Sequence, residues 1–419
     1  MPPPRQGAAG LRLPRRTQSA QFLRAEDESA ILPCPMSICV RYLGTHIAFR
    51  TGGKKGKLIM KRPMSVVFVL GIVVCSAAAS LGGNSSAEIV QSLRSRLFTL
   101  DLSSADLELI AARKAVVHAI SSSNPKEIAG MGIILADASP GAFIDSYRTL
   151  AVFRNSPRIL QLGAFGATPK PADLDGLVID REDLNALGKA KAGDSEIKLS
   201  EAEISRLQAV AARAKGSVAE TRERLSEEYK KILFERAAAY SKGGPAGMPG
   251  YSDKETSINA GESMVALATE ESRDGRDCEH VRRFLEGSPT GDAADSSFLY
   301  WAKERFGELK SVVNILHVYI HKEGDRFFIA SKQVYSNHYT EAALSVAEFI
   351  PFTDSSGQPH TIIAYTLRLQ TDMLGGSLGF VKKHMAAPRI LGTLRESLER
   401  LQSTLESPDP RQIDARARN

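Results

Sequence analysis

The last third of the chain alternates apolar and polar residues with a period of two, broken by short turn signals. The alternation predicts strands over residues 312–321, 326–335, 343–352 and 361–371. Lys322-Glu323-Gly324-Asp325 and Ser355-Ser356-Gly357 supply turns between them. Consecutive strands with such short turns make an antiparallel meander. In the last strand Ile363, Tyr365, Leu367 and Leu369 share one face, while Thr366, Arg368 and Gln370 share the other. The period then changes. Leu391, Leu394, Leu398, Leu401 and Leu405 recur at helical spacing, the stripe of a helix that presses one side onto an apolar surface. Pro388 predicts a kink or restart, with a short segment near Phe380 and Val381 before it and a leucine-striped one over 388–406. A one-sided sheet needs a cover, and the striped helix is the expected one.

Upstream, Ser103 and Asp106 form a helix start stapled by Leu102 and Leu107, predicting a helix that runs to 118–120. A strand follows over 128–138, a short helix over 141–152, and strands over 158–165 and 177–179. Ser200 with Glu203 is a capping box, and Leu199 with Ile204 a staple. The helix they open reaches about Tyr240, with a break near Gly216, and ends at Gly243-Gly244. Arg222, Glu223, Arg224, Glu227, Glu228, Lys230 and Lys231 give it a solvated face. Shorter helices are expected over 260–270 and 278–285. The fold class is α+β: an antiparallel sheet covered by a long C-terminal helix, with a helical insertion.

Ala136–Phe165, with its Asp137-Ala138-Ser139-Pro140 turn leading from strand to helix, resembles the opening of the START-like, or SRPBCC, helix-grip superfamily. The C-terminal strands, Asp372, the glycine-rich turn and the final helix resemble its close. The layout over 101–406 is also similar to a group of uncharacterised exported bacterial proteins through Tyr300–Gly307 and Ser331–Tyr339. That resemblance implies two cysteines around 190–200; here Ala190 and Ser195 stand there, and no disulfide is implied. The helix-grip resemblance implies a first fold segment over 101–180; beside it the expected layout is an insertion over 199–290, sheet and lid over 296–406 and a disordered tail over 407–419.

Charge removes a nucleic-acid reading. Residues 1–79 hold 12 Lys and Arg against 3 Asp and Glu, and the rest of the chain holds 42 against 45. The basic excess thus belongs to the leader, and the body has no phosphate-attracting field. Residues 1–59 read as a disordered or mis-started leader rich in Pro, Arg and Gly. Residues 60–80 carry Lys61 and Arg62, an apolar run over 66–74 and Ala77-Ala78-Ala79. That is a signal peptide, or an uncleaved membrane anchor with its basic side inside. Export to the periplasm or cell envelope is expected. Of four cysteines only Cys278 follows this segment, so the exported chain has no intramolecular disulfide.

Candidate chemistry is sparse. Gly375-Gly376-Ser377-Leu378-Gly379 matches a nucleophile elbow, but only His384 follows it, in the same helix, and the strands before it read as antiparallel. It reads as a glycine-rich turn. His317 and His338 are hydrogen-bonded sheet histidines, a polar spot in a cavity or half of a metal site, and a hairpin turning at Gly324 sets His317 opposite about Ala330. No metal-motif spacing accompanies them. Asp274, Asp277, Glu279 and His280 read as an exposed acidic cluster. Trp301, the single tryptophan, sits in an aromatic run from Phe298 that lines either a cavity or a core. The expected function is non-enzymatic binding of a lipid or other apolar ligand, with no cofactor and no metal. The cavity candidates are Tyr300, Trp301, His317, Tyr319, Tyr335, His338, Tyr365, Leu367, Phe380, Leu391 and Leu394. An envelope scaffold that uses the insertion, or a cyclase or hydrolase on the same fold, is the alternative.

Overall fold

The computed structural model describes residues 83–407 except 155, 157, 214–215, 274–277, 288–295, 306–308 and 375–378, without the side chains of 83–85 and 379–382. The leader, the segment 60–80, the tail after Ser407, Asp274, Asp277, Gly375 to Leu378 and the Phe380 and Val381 side chains lie outside these described residues.

Helices α1 (Gly83–Arg96) and α2 (Ser104–Ala111) come first. The capping box at Ser103 closes as expected, with Ser103 Oγ accepting from the Asp106 amide at 3.1 Å. The helix expected to reach 118–120 stops early. Arg113 takes a left-handed φ of 63°, and Val116–Ile120 becomes strand β1. β-Branched Val116, Val117 and Ile120 favour the extended form, and the Arg113 guanidinium braces the corner against Asp137 at 2.5 Å.

Strand β2 (Glu127–Ala136), helix α3 (Gly141–Arg148) and strand β3 (Ile159–Ala164) follow close to their expected places. Residues 177–179 are not a strand. Side chains take the place of a partner: the Val178 amide donates to Gln161 Oε1 at 2.8 Å, and its carbonyl accepts from Lys303 Nζ at 3.0 Å.

Helix α4 (Arg181–Leu187) leads into the insertion, which comprises α5 (Glu201–Arg213), α6 (Val218–Gly243), α7 (Ala260–Arg273) and α8 (Glu279–Glu286). Ser200 and Glu203 form their box: the Ser200 amide donates to Glu203 Oε2 at 2.7 Å, and the Glu203 amide donates to Ser200 Oγ at 3.3 Å. The expected break near Gly216 is there, and Ser217 caps α6.

Strands β4 (Ser296–Glu304), β5 (Val312–Glu323), β6 (Arg326–Ser336), β7 (Thr340–Thr353) and β8 (Pro359–Thr371) then run antiparallel into α9 (Gly379–Leu405). β4 is an addition to the expected meander. The turn between β5 and β6 has two residues, with Gly324 at φ 62°, so His317 pairs with Lys332 and not with Ala330. Gly324 suits this turn because a positive φ costs it nothing.

The eight strands of the described residues form one antiparallel sheet in the order β1-β2-β8-β7-β6-β5-β4-β3, so an early strand, β2, pairs with the last. α3 and α9 cover one face, with Ile363, Tyr365, Leu367, Leu394 and Leu398 in a common core. The opposite face is not open either. The insertion buries most of it, and α1 with α2 bury its β2–β8 end around Ile133, Leu135 and Ile362. The expected alternation in β8 holds, yet its polar side is also interior: Arg368 is fully buried, 2.7 Å from Glu127 and 3.1 Å from Glu271 of α7. A polar stripe on a strand signals solvent only when no charged partner arrives from another element.

α9 continues through Pro388 without a break. Pro388 and His384 are both exposed, so the carbonyl that loses its amide partner lies on the solvent side, where water replaces the bond. Among the described residues no helix is long and apolar enough to cross a membrane.

Candidate functional site

The period of two decides which candidates can meet. Tyr300 and Trp301 are neighbours in β4 and therefore face opposite sides of the sheet. Tyr300, Tyr365, Leu367, Leu391 and Leu394 belong to the α9 side, where Tyr300 stacks on Phe153 at 5.8 Å. Trp301, Tyr319 and Tyr335 belong to the insertion side. His317 and His338 contact insertion-side residues as well. The eleven candidates therefore do not line one cavity.

Under α9 the sheet leaves an apolar cavity of about 30 Å³, lined among others by Phe143, Phe349, Tyr365, Ser397 and Leu398. Of the expected residues, Tyr365 and Leu394 line it. Its size is that of a couple of waters, far below the roughly 300 Å³ of a small-molecule site. Two glycines in β2 explain the close seating. A Cβ at Gly130 would stand 2.5 Å from Leu391 Cδ2, and one at Gly132 would collide with Leu398. Two polar ties among the described residues join α9 to neighbouring elements. Lys383 Nζ donates to the Asn124 carbonyl at 3.2 Å, and Gln402 Nε2 donates to the Leu135 carbonyl at 2.9 Å.

The insertion side is fastened differently, by buried polar groups. Lys198 lies 2.8 Å from Asp372 and 3.5 Å from Asp253. Burial opposes its charge, but the two carboxylates outweigh burial and hold the ammonium above its ordinary range. Arg236 of α6 pairs with Glu203 of α5 at 2.5 Å and lies 4.7 Å over the Tyr335 ring. The Tyr229 and Tyr335 hydroxyls are 2.9 Å apart. His338 Nε2 lies 3.1 Å from Asp183 of α4, and its Nδ1 lies 3.1 Å from the Glu196 carbonyl.

His317 sits between Tyr240 Oη, 2.8 Å from Nδ1, and Ser297 Oγ, 2.8 Å from Nε2. Burial, helped by the Lys332 charge, lowers it to about 3, so the ring is neutral. Lys332 Nζ donates to the Phe284 and Gly287 carbonyls at the end of α8, at 2.5 and 2.6 Å, and burial brings it down to about 7. These contacts assign both histidines to packing of the insertion against the sheet.

One cluster escaped the sequence reading. The ligand atoms of Cys278, His280, His321 and Glu323 all lie within 4.8 Å of one another. Cys278 precedes α8 and is buried, and burial raises its thiol above the ordinary range. His280 is half-buried, not exposed, and stacks on His321 with centroids 4.2 Å apart. Of the expected acidic cluster, Glu279 is exposed and engaged by Arg282 and Arg283. A signal was present in Cys-x-His and His-x-Glu, but forty-odd residues separate the pairs, and only the packing of α8 on β5 joins them.

No protein-family model and no curated protein matches this chain.

Proposed function

We propose that this protein is an exported, non-catalytic binding domain of helix-grip type that takes a slender apolar ligand, such as a lipid acyl chain, between the sheet and α9. The observation that carries this reading is the unequal fastening of the two faces. Buried ion pairs are directional and costly to break, and Arg368–Glu271 and Lys198–Asp372 hold the insertion and the segment that leads into it against the end of the sheet. α9 rests mainly on leucines in glycine seats, contacts that are non-directional and can re-form after a shift. The movable layer is therefore α9, and the cavity beneath it is apolar. The cavity holds only about 30 Å³, so uptake requires α9 to lift from β2 and β8. The order β2-β8-β7-β6-β5-β4-β3, with a helix between the first two strands and another after the last, supports the helix-grip assignment. The segment 60–80 directs export, or anchors the chain to the membrane it serves.

Native mass spectrometry of the full chain expressed in a bacterial envelope tests the reading. A co-purifying lipid, displaced by fatty acid, is the expected result. A protein that carries no lipid, and whose melting temperature does not respond to added fatty acid or phospholipid, would overturn it.

A second reading, an envelope scaffold that works through the insertion, is favoured by one observation. An open groove of about 830 Å³ lies on that side, lined by Pro245, Met248, Ile258, Glu262 and Val265 among others. Substituting Val265 with Asp distinguishes the two. Loss of a partner with lipid content unchanged supports the scaffold.

A further inference from the structure

We infer that Cys278, His280, His321 and Glu323 form a binding site for a borderline divalent cation, zinc foremost, that ties α8 to the end of β5. The four donor atoms come from two elements that are distant in sequence, Cys-x-His at the start of α8 and His-x-Glu at the end of β5, and converge within 4.8 Å of one another. One thiol sulfur, two imidazole nitrogens and one carboxylate oxygen are a donor set that tetrahedral zinc accepts, whereas magnesium and calcium prefer oxygens alone. Bonds of about 2.0–2.3 Å place the donors of a tetrahedral shell roughly 3.3–3.8 Å apart. From within 4.8 Å the donors need approach by only about 1–1.5 Å to reach that spacing. Glu323 is exposed and free to swing inward, while Cys278 and His321 are buried and already held.

The surroundings suit a structural site. Four protein donors leave no open coordination position for a substrate. Tyr319 and Phe328 flank His321, with ring centroids at 6.0 and 6.3 Å, which restricts the imidazole and keeps water from the inner side. The metal would act as a rivet at the start of α8, opposite the end where Lys332 holds the Phe284 and Gly287 carbonyls. Its capture is written Cys–SH + M²⁺ → Cys–S–M⁺ + H⁺, with the imidazoles binding as neutral ligands and the carboxylate as its anion.

The test uses the full chain, purified with chelator and then exchanged into metal-free buffer. Titration with zinc is expected to give one equivalent bound per chain and a higher melting temperature, since a ligand of the folded state stabilises it. Cobalt(II) in place of zinc is expected to show the visible bands of a tetrahedral ion and a near-ultraviolet sulfur-to-metal charge-transfer band. Cys278→Ser should abolish the charge-transfer band, and His321→Ala should weaken binding about a hundredfold or more. If either of these buried variants fails to fold, the exposed Glu323→Gln variant carries the comparison, with weaker binding and a smaller thermal shift expected. Less than stoichiometric zinc, cobalt bound without the sulfur band, or affinity unchanged in Glu323→Gln and His321→Ala would overturn the inference.

Discussion

Lys332 is the residue whose burial has the clearest consequence for pH. Its ordinary value is 10.5, and burial lowers it to about 7 in the folded protein. Between those values the unfolded chain binds a proton that the folded chain lacks, so stability rises as pH climbs through that window. Tyr229 and Tyr240 act in the opposite sense. Burial raises both phenols far above 10.0, and stability falls once pH passes that ordinary value. Urea midpoints measured from about pH 7 to about pH 11 should therefore pass through a maximum near pH 10. Lys332→Met should flatten the rising limb and leave the falling one. Arg368 presents the other kind of buried charge, compensated on two sides by Glu127 and Glu271. Arg368→Ala strands two carboxylates in the interior and is expected to cost about 3–5 kcal/mol by denaturant titration. A cost below about 1 kcal/mol would show that water reaches the pair.

At the scale of elements, α9 has a seat cut for it by absence. Gly130 and Gly132 leave room on β2 for Leu391 and Leu398, and a Cβ at either position forces the leucine facing it to shift. Gly132→Val should cost about 1–3 kcal/mol by overpacking and lift α9. On the ligand reading it should also raise the affinity for an apolar fluorescent probe, because the lifted form is the receptive one. Unchanged probe binding in a folded Gly132→Val protein counts against that reading. Leu394→Ala removes a buried side chain beside the existing cavity and should cost about 2–5 kcal/mol. Here thermal melting and probe binding are read together. The leucine stripe of α9 was legible along the chain, as were the capping boxes at Ser103 and Ser200, because each depends on residues within one or two helical turns. The glycine seats were not, since their meaning lies in a helix that begins roughly 250 residues later.

For the whole molecule, the insertion is the second wall of the sheet and not an appendage. Tyr229, Ile232, Leu233, Ala237 and Tyr240 of α6 share a core with Ile315, Tyr319 and Tyr335 of the sheet. Deleting residues 200–240 is expected to yield aggregated protein in size-exclusion chromatography, because it exposes a broad apolar face. A monomeric, folded deletion product would show that the sheet and α9 stand alone. The chain's local order determined the α+β class, the strands β5 to β8, the final helix and the start of the insertion. Each rests on a period of two or of three to four residues, which the backbone geometry imposes without reference to distant segments. Tertiary structure alone decided four things: that the polar stripe of β8 is interior, that Tyr300 and Trp301 face different cores, that the space under α9 is nearly filled, and that Cys278 and His280 meet His321 and Glu323. The reason is the same in each case. Burial, register and donor convergence are relations between elements brought together by packing, and a period read along one segment carries no information about what another segment lays against it.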